Sequence, residues 1–266
     1  MNKVTRLKYY IESLCIYDFE DDDVFSALYD LLCDDEEDTV ALQSYFFKEL
    51  AKSESLKRHI SRLILTNDNI FTKAACTGKV NELSIAVINA VKSDLAKLEE
   101  IASLTAQDIL ADIDDEDIKE ILLTLPGWEV GKPLAPLDSH WDRQLDELIN
   151  YHRENGYGIY AKNIAFTWRD EEITPVNSID PIRLTDLKNY ELQRNKVIDN
   201  TESFIAGHPA NNVLLYGDRG TGKSSTVHAI LNEYWQKGLR MIEIPKSAVA
   251  DLSLIRELLS FCPFPY

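Results

Sequence analysis

The chain has 266 residues, 45% of them apolar and 27% charged, with a formal net charge of −17. These proportions describe a folded chain of one large or two ordinary domains and exclude a disordered polyelectrolyte. Residues 1–125 hold 26 acidic against 13 basic side chains, and a surface of that sign repels phosphate backbones, which excludes nonspecific nucleic-acid binding there.

The N-terminal stretch MNKVTRLKYYIESLCIYDFEDDD interrupts its apolar positions with charge, so it has no signal-peptide core. Val4, Leu7, Tyr10, Ile11, Leu14 and Cys15 recur at three- and four-residue spacing, the stripe of an amphipathic helix. DVFSALYDLLC, TVALQSYFFKELAK, SLKRHISRLILT and, after Gly78, VNELSIAVINAVKSDLAKLEEIASL continue the helical pattern. Residues 1–125 contain one glycine and no proline, so the expectation is an acidic all-helical domain whose stripes pack as a bundle or short array.

The runs DFEDDD, CDDEED and DIDDEDIKE read as solvated helix starts and loops, because carboxylates complement the positive end of a helix. None holds the turn glycine of a divalent-metal loop. His59 has no partner at metal-ligand spacing and reads as a structural or surface histidine. The cysteines, Cys15, Cys33, Cys76 and Cys262, are far apart and form no C-x-x-C pair. They predict reduced, buried thiols and a cytoplasmic protein. No apolar run approaches the roughly 20 residues that span a bilayer, so the expectation is a soluble chain with no membrane partner.

LPGWEVGKPLAPLDSHW carries three prolines and two glycines and predicts a connector over 126–180. Within it, Asp138 or Ser139 caps a helix that ends near Asn155 before Gly156, and YGIYAKNIAFTW is a strand or extended arm. Residues 181–266 then show an approach segment, a helix over about 189–205 stopped by Gly207, and turn residues His208 and Pro209. A short apolar strand NVLLYG follows, then a helix KSSTVHAILNEYWQKG closed by Gly238, a strand LRMIEI and a helix DLSLIRELLSF. Strands without polar alternation, separated by helices, predict a parallel sheet covered on both faces.

GDRGTGKS fits G-x-x-x-x-G-K-[ST] between the predicted strand and helix. A phosphate chain needs inward backbone N–H groups, close approach without Cβ atoms and a positive end nearby. The segment Gly217, Asp218, Arg219, Gly220, Thr221, Gly222, Lys223, Ser224 and Ser225 supplies them. In this reading Lys223 reaches the β- and γ-phosphates, Ser224 places its hydroxyl on Mg²⁺, and the amides of Arg219 to Ser225 form the cradle. No N-K-x-D follows the loop to read guanine. A small-molecule kinase using Glu243 lacks recognisable lid and substrate residues, and Glu243 reads as an ordinary strand-end residue.

The stretches DLKNYELQR, NTESFIAGHPANNVLLYGDRGTGKSS and GLRMIE resemble the start of an AAA+ ATPase module. More closely, about 145–266 resembles a bacterial family of AAA+-type proteins catalogued as a domain of unknown function. The resemblance implies an α plus α/β architecture, with the helical domain followed by the first half of a P-loop parallel αβα sandwich. It also implies ATP with Mg²⁺, ring-type homo-oligomers of a complete module, and adenine packed on Ile182, Leu184, Leu187 and Tyr190, each of which reads equally well as plain core. The family order continues to a Walker B strand that no segment after Lys223 supplies. Feeble hydrolysis by this chain is therefore expected, as a truncated form or a remnant. Two functions follow: an ATPase, in complete form, that remodels or regulates a partner, or a non-enzymatic nucleotide-gated or vestigial scaffold whose acidic helical domain binds a protein.

Overall fold

The computed structural model describes residues 1–34, 38–53, 55–176 and 178–266. The chain divides into two units, Met1–Arg153 and Glu154–Tyr266.

The first unit is helical. Its helices are α1 (Lys3–Glu12), α2 (Asp23–Cys33), α3 (Thr39–Leu50), α4 (Leu56–Leu65), α5 (Ile70–Cys76), α6 (Ile85–Ile101), α7 (Ala106–Leu110), α8 (Glu116–Leu122) and α9 (Leu145–Asn155). Short polar residues start most of them by accepting first-turn N–H groups that have no intrahelical partner. Asn2, Asp22, Asn69, Ser84, Thr105 and Asp115 do this for α1, α2, α5, α6, α7 and α8, and Asn69 and Thr105 complete reciprocal capping boxes. Two of the acidic runs thus supply helix caps, as their composition suggests. In CDDEED, residues 35–37 lie outside the described residues.

The apolar stripes meet in one core, where Leu7, Leu28, Phe46, Ile60, Ile64, Phe71, Leu95, Leu98 and Trp141 are fully buried. Residues 126–153 belong to this unit and contribute Leu137, Trp141 and Leu148 to its core. The predicted first stripe runs too far, because α1 stops at Glu12 and Cys15 is exposed. The cause is Asp94 on α6, wholly buried, whose Oδ2 accepts the N–H groups of Cys15, Ile16 and Tyr17 at 2.9, 2.7 and 3.3 Å. A carboxylate that holds three successive amides turns the backbone out of the helix. Of the cysteines predicted to be buried, only Cys76 is; Cys33 and Cys262 are half-buried, and no disulfide is present among the described residues. His59 is buried rather than on the surface.

A strap over residues 129–134 docks on the start of α4. The carbonyls of Glu129 and Val130 accept the N–H groups of Leu56 and Lys57 at 3.0 and 2.9 Å, and the Leu134 N–H donates to Ser61 Oγ at 2.8 Å. Gly131 makes this approach sterically possible. It has φ +67°, and a Cβ there would stand 2.1 Å from Ser55 Oγ. An L-residue in that conformation costs about 1–2 kcal/mol before any clash. With the clash against a buried serine, Gly131→Ala is expected to destabilise the first unit by about 2–4 kcal/mol. Urea denaturation followed by circular dichroism measures this, and an unchanged midpoint would refute the packing argument.

The second unit holds α10 (Gly158–Lys162), β1 (Ala165–Arg169), β2 (Glu172–Pro175), α11 (Glu191–Ile205), α12 (Lys223–Tyr234), β3 (Met241–Glu243) and α13 (Leu252–Leu258). Its sheet has the order β2-β1-β3, antiparallel between β1 and β2 and parallel between β1 and β3. Phe166 and Trp168 bury themselves from β1, and Tyr157, Tyr160 and Phe166 form an aromatic cluster with centroid distances of 5.4 and 5.3 Å. The architecture is therefore helical with a small mixed sheet.

Two sheet expectations fail. The predicted strand before the glycine loop is not a strand: Val213, Leu214 and Tyr216 are 48%, 82% and 88% exposed. The strand from LRMIEI pairs with β1, in register Ala165 to Met241, and not with the segment before the loop. A ladder needs a neighbour on which to satisfy its N–H and C=O groups. Residues 212–216 make no hydrogen bond to another described residue, so apolar composition alone does not make them a strand. The fully parallel sheet is thus replaced by a hairpin with one parallel addition. Among the described residues, no helix is long and apolar enough to cross a membrane.

Candidate functional site

Helix α11 approaches the loop first. It closes at Gly207, which has φ +72°, with the His208 N–H returning to the Ser203 carbonyl at 2.9 Å before Pro209. This is the predicted turn. Asn200 on α11 then holds the chain beyond it by a reciprocal pair: Asn200 Nδ2 donates to the Asn211 carbonyl, and the Asn211 N–H donates to Asn200 Oδ1, both at 2.8 Å. The side-chain amide imitates one rung of a ladder and fixes where the exposed stretch 212–216 begins.

The loop follows. Gly217, Gly220 and Gly222 have φ of +142°, +83° and +79°, a region that side chains disfavour. Gly222 is also the N-cap of α12, so the turn delivers the chain directly into a helix start. The helical ladder begins with the Thr226 N–H donating to the Gly222 carbonyl at 2.8 Å. The N–H groups of Lys223, Ser224 and Ser225 precede that ladder and point out of the helix end without intrahelical acceptors. Together they form a positively polarised terminus.

Lys223 folds back over its own loop. Its Nζ donates to the carbonyls of Gly217 and Asp218 at 3.0 and 2.6 Å and lies 3.2 Å from Thr221 Oγ1, which itself donates to the Asp218 carbonyl at 2.9 Å. One ammonium thus gathers both ends of the turn. Asp218, Arg219 and Ser224 are exposed, while Thr221, Lys223 and Ser225 are half-buried. All nine predicted loop residues, 217–225, lie on this one turn and helix start. Among the described residues, no group of three or more His, Cys, Asp or Glu side chains could hold a metal ion.

The base candidates are less gathered. Asn232 on α12 donates to the carbonyls of Asp180 and Ile182 at 2.7 and 2.8 Å. This clamps the approach segment to the helix roughly 13 Å along the axis from Lys223, at about 1.5 Å per residue. Leu184 packs with Ile230, Tyr234 and Leu239 in a small core shared with Val197, Ile198 and Ile205 of α11. The Leu187 carbonyl accepts Arg194, and Tyr190 is 57% exposed. Leu184 is therefore half-buried against that core, and Ile182 is positioned through its backbone.

Sequence reasoning did not find the two asparagines that position the site, Asn200 and Asn232. Nor did it find the Tyr234 hydroxyl, which donates to Glu202 on α11 at 2.8 Å. Burial and the Glu202 carboxylate push that hydroxyl up to about 12, so it remains a donor that joins α11 to α12. Amides and hydroxyls on helix surfaces leave no periodic signal, which is why only the coordinates identify them. Glu243, the kinase candidate, lies at the end of β3 opposite Thr167 and borders a separate cleft with Asp170, Glu171 and Asp251.

A family model described as a protein of unknown function (DUF815) matches residues 161–264. The match takes in the sheet, the loop and all of α12, and none of the helices α1 to α9. No curated protein and no solved structure matches the chain.

Proposed function

We propose that residues 217–225 bind the phosphate chain of ATP as its Mg²⁺ complex, and that the module is an AAA+-type ATPase acting on a partner macromolecule. The observation that carries the reading is the wrapped loop: three glycines at positive φ around the Lys223 ammonium, opening into the uncapped N-terminus of a 12-residue helix. Phosphoryl transfer depends mainly on positioning and charge stabilisation, and this loop offers the positioning parts. Lys223 exchanges its hold on the Gly217 and Asp218 carbonyls for phosphate oxygens, and the amides of Lys223 to Ser225 accept a negative ligand. Preference for adenine rests on the resemblance of DLKNYELQR and its surroundings to AAA+ modules. The acidic helical unit is the surface for a protein partner, since its charge disfavours nucleic acid.

Calorimetric titration with ATP, with and without Mg²⁺, tests the proposal, and phosphate release measured in parallel separates an ATPase from a nucleotide-gated scaffold. The wild-type chain is expected to bind MgATP. Ser224→Ala is expected to lose most of the Mg²⁺-dependent gain in affinity while retaining the weaker binding seen in EDTA, because only the hydroxyl is removed. Absence of nucleotide binding by the intact chain would overturn both versions, and Ser224→Ala binding with undiminished Mg²⁺ dependence would remove Ser224 from the metal site.

A further inference from the structure

A second constellation lies in the first unit and shares no residue with the glycine loop. Ser53 Oγ is 2.8 Å from His59 Nδ1, and His59 Nε2 is 2.8 Å from Asp22 Oδ1. The direction of both bonds follows from Asp22. Burial would raise its pKa, but the bond from His59 and the amides of Phe25 and Val24 outweigh that effect and hold the carboxyl below its usual range. An ionised carboxylate only accepts hydrogen bonds, so Nε2 carries a proton toward it. In the neutral imidazole Nδ1 then presents its lone pair, and the Ser53 hydroxyl donates to it.

The relay is held from both ends. Asp22 is the N-cap of α2, with Oδ1 also accepting the Phe25 N–H at 2.9 Å, and His59 is 7% exposed on α4. Ser53 occupies the turn between α3 and α4 and lines a cleft of about 260 Å³ together with Phe47, Leu50, Ala51, Ser55 and Trp128. Trp128 is fixed there by an edge contact with Phe46, centroids 4.8 Å apart, and by Nε1 donating to the Leu104 carbonyl at 2.9 Å. A hydroxyl paired to an imidazole that a carboxylate orients, opening on a small and largely apolar cleft, can activate a serine toward acyl groups, here with the two ring nitrogens exchanged relative to the serine-protease order.

We propose that Ser53 is the nucleophile of an esterase site for short apolar acyl groups, with His59 as general base and Asp22 as the positioning residue. His59 Nδ1 takes the Ser53 proton as Oγ forms a bond to the ester carbonyl carbon. The tetrahedral oxyanion collapses by breaking the carbon–oxygen bond to the alcohol, which leaves with the proton from His59. Water then gives a proton to His59 and its oxygen to the acyl carbon. The Ser53 oxygen departs and recovers that proton, so the sum is ester plus water giving acid plus alcohol.

The test exposes the full chain to a fluorophosphonate probe, maps the adduct by mass spectrometry, and measures p-nitrophenyl butyrate hydrolysis. A single adduct on Ser53 is expected, with both readouts lost in Ser53→Ala and retained in Ser103→Ala, whose hydroxyl donates to the Glu99 carbonyl and has no place in the cleft. Asp22→Asn keeps an N-cap acceptor but no longer dictates the imidazole tautomer. It is expected to preserve circular dichroism and KM while lowering kcat at least ~100-fold. No adduct on Ser53 of the folded wild type, hydrolysis that survives Ser53→Ala, or an unchanged kcat in Asp22→Asn would each overturn the proposal and leave the relay a structural link between α2 and α4.

Discussion

Lys223→Ala is expected to weaken ATP binding at least ~100-fold, about 2.7 kcal/mol, while leaving the unfolding midpoint of the chain nearly unchanged. The two halves of this expectation have different causes. In the proposed nucleotide-bound state the ammonium would face phosphate charge at a helix terminus whose own N–H groups are already oriented, so removing it would delete a charge-assisted contact that nothing nearby replaces. Without nucleotide, its partners are the carbonyls of Gly217 and Asp218 and the hydroxyl of Thr221. Those carbonyls belong to exposed residues, so water takes the place of the ammonium at little cost. Lys223→Arg is expected to lose most of the affinity as well, because a planar guanidinium is too wide for a cradle fitted around one nitrogen. Calorimetry with MgATP beside a thermal melt checks both halves. An alanine variant that binds ATP as the wild type does would refute the cradle, and one that unfolds early would mean that the lysine serves mainly to hold the loop together.

Asp94→Ala is expected to cost the first unit about 3–5 kcal/mol, a large part of the stability of an ordinary domain. The carboxylate is fully buried, and its Oδ2 serves three amides at the end of α1, with Lys97 Nζ 3.7 Å from Oδ1. Truncation leaves those N–H groups, part-buried at Cys15 and Ile16 and buried at Tyr17, without their acceptor, and a buried group so orphaned costs about 1–3 kcal/mol when nothing replaces the partner. Asp94 also bears on Tyr17, whose buried hydroxyl is pushed well up, first by desolvation and then by the carboxylate charge. Asp94→Asn keeps an oxygen toward the amides and removes the charge, so about half the loss is expected. Urea unfolding followed by circular dichroism measures the difference. A loss under about 1 kcal/mol for the alanine variant would mean that water enters and satisfies the turn.

These two residues differ in how visible they are in the primary structure. Lys223 stands in a spaced pattern whose physical demands are local: glycines for the turn, a cation, and a helix start immediately after. All of that is realised within a few residues, and the loop is found where the pattern predicts. Asp94 stands in an amphipathic helix among other charges, and nothing near it in the chain distinguishes it from Asp108 or Glu100. Its role depends on amides about 78 residues away. The same holds for Ser53, His59 and Asp22, since the span from Asp22 to His59 is 37 residues and only packing brings them together. The stretch 212–216 shows the converse. Its composition is that of a buried strand, yet β3 adds to β1 and leaves those apolar residues exposed.

By itself, then, the amino-acid order determined the helices of the first unit, their polar caps, the exclusion of a membrane-spanning helix, and the glycine loop leading into α12. Each rests on contacts within a turn or two of chain, where periodicity and residue chemistry act directly. Only the tertiary structure decided which strands pair, where α1 ends, which cysteines are covered, and which carboxylate meets which amide or imidazole. Those outcomes depend on surfaces far apart in the chain, and the same apolar stretch satisfies a sheet or stands in water according to whether a partner's N–H and C=O groups arrive beside it.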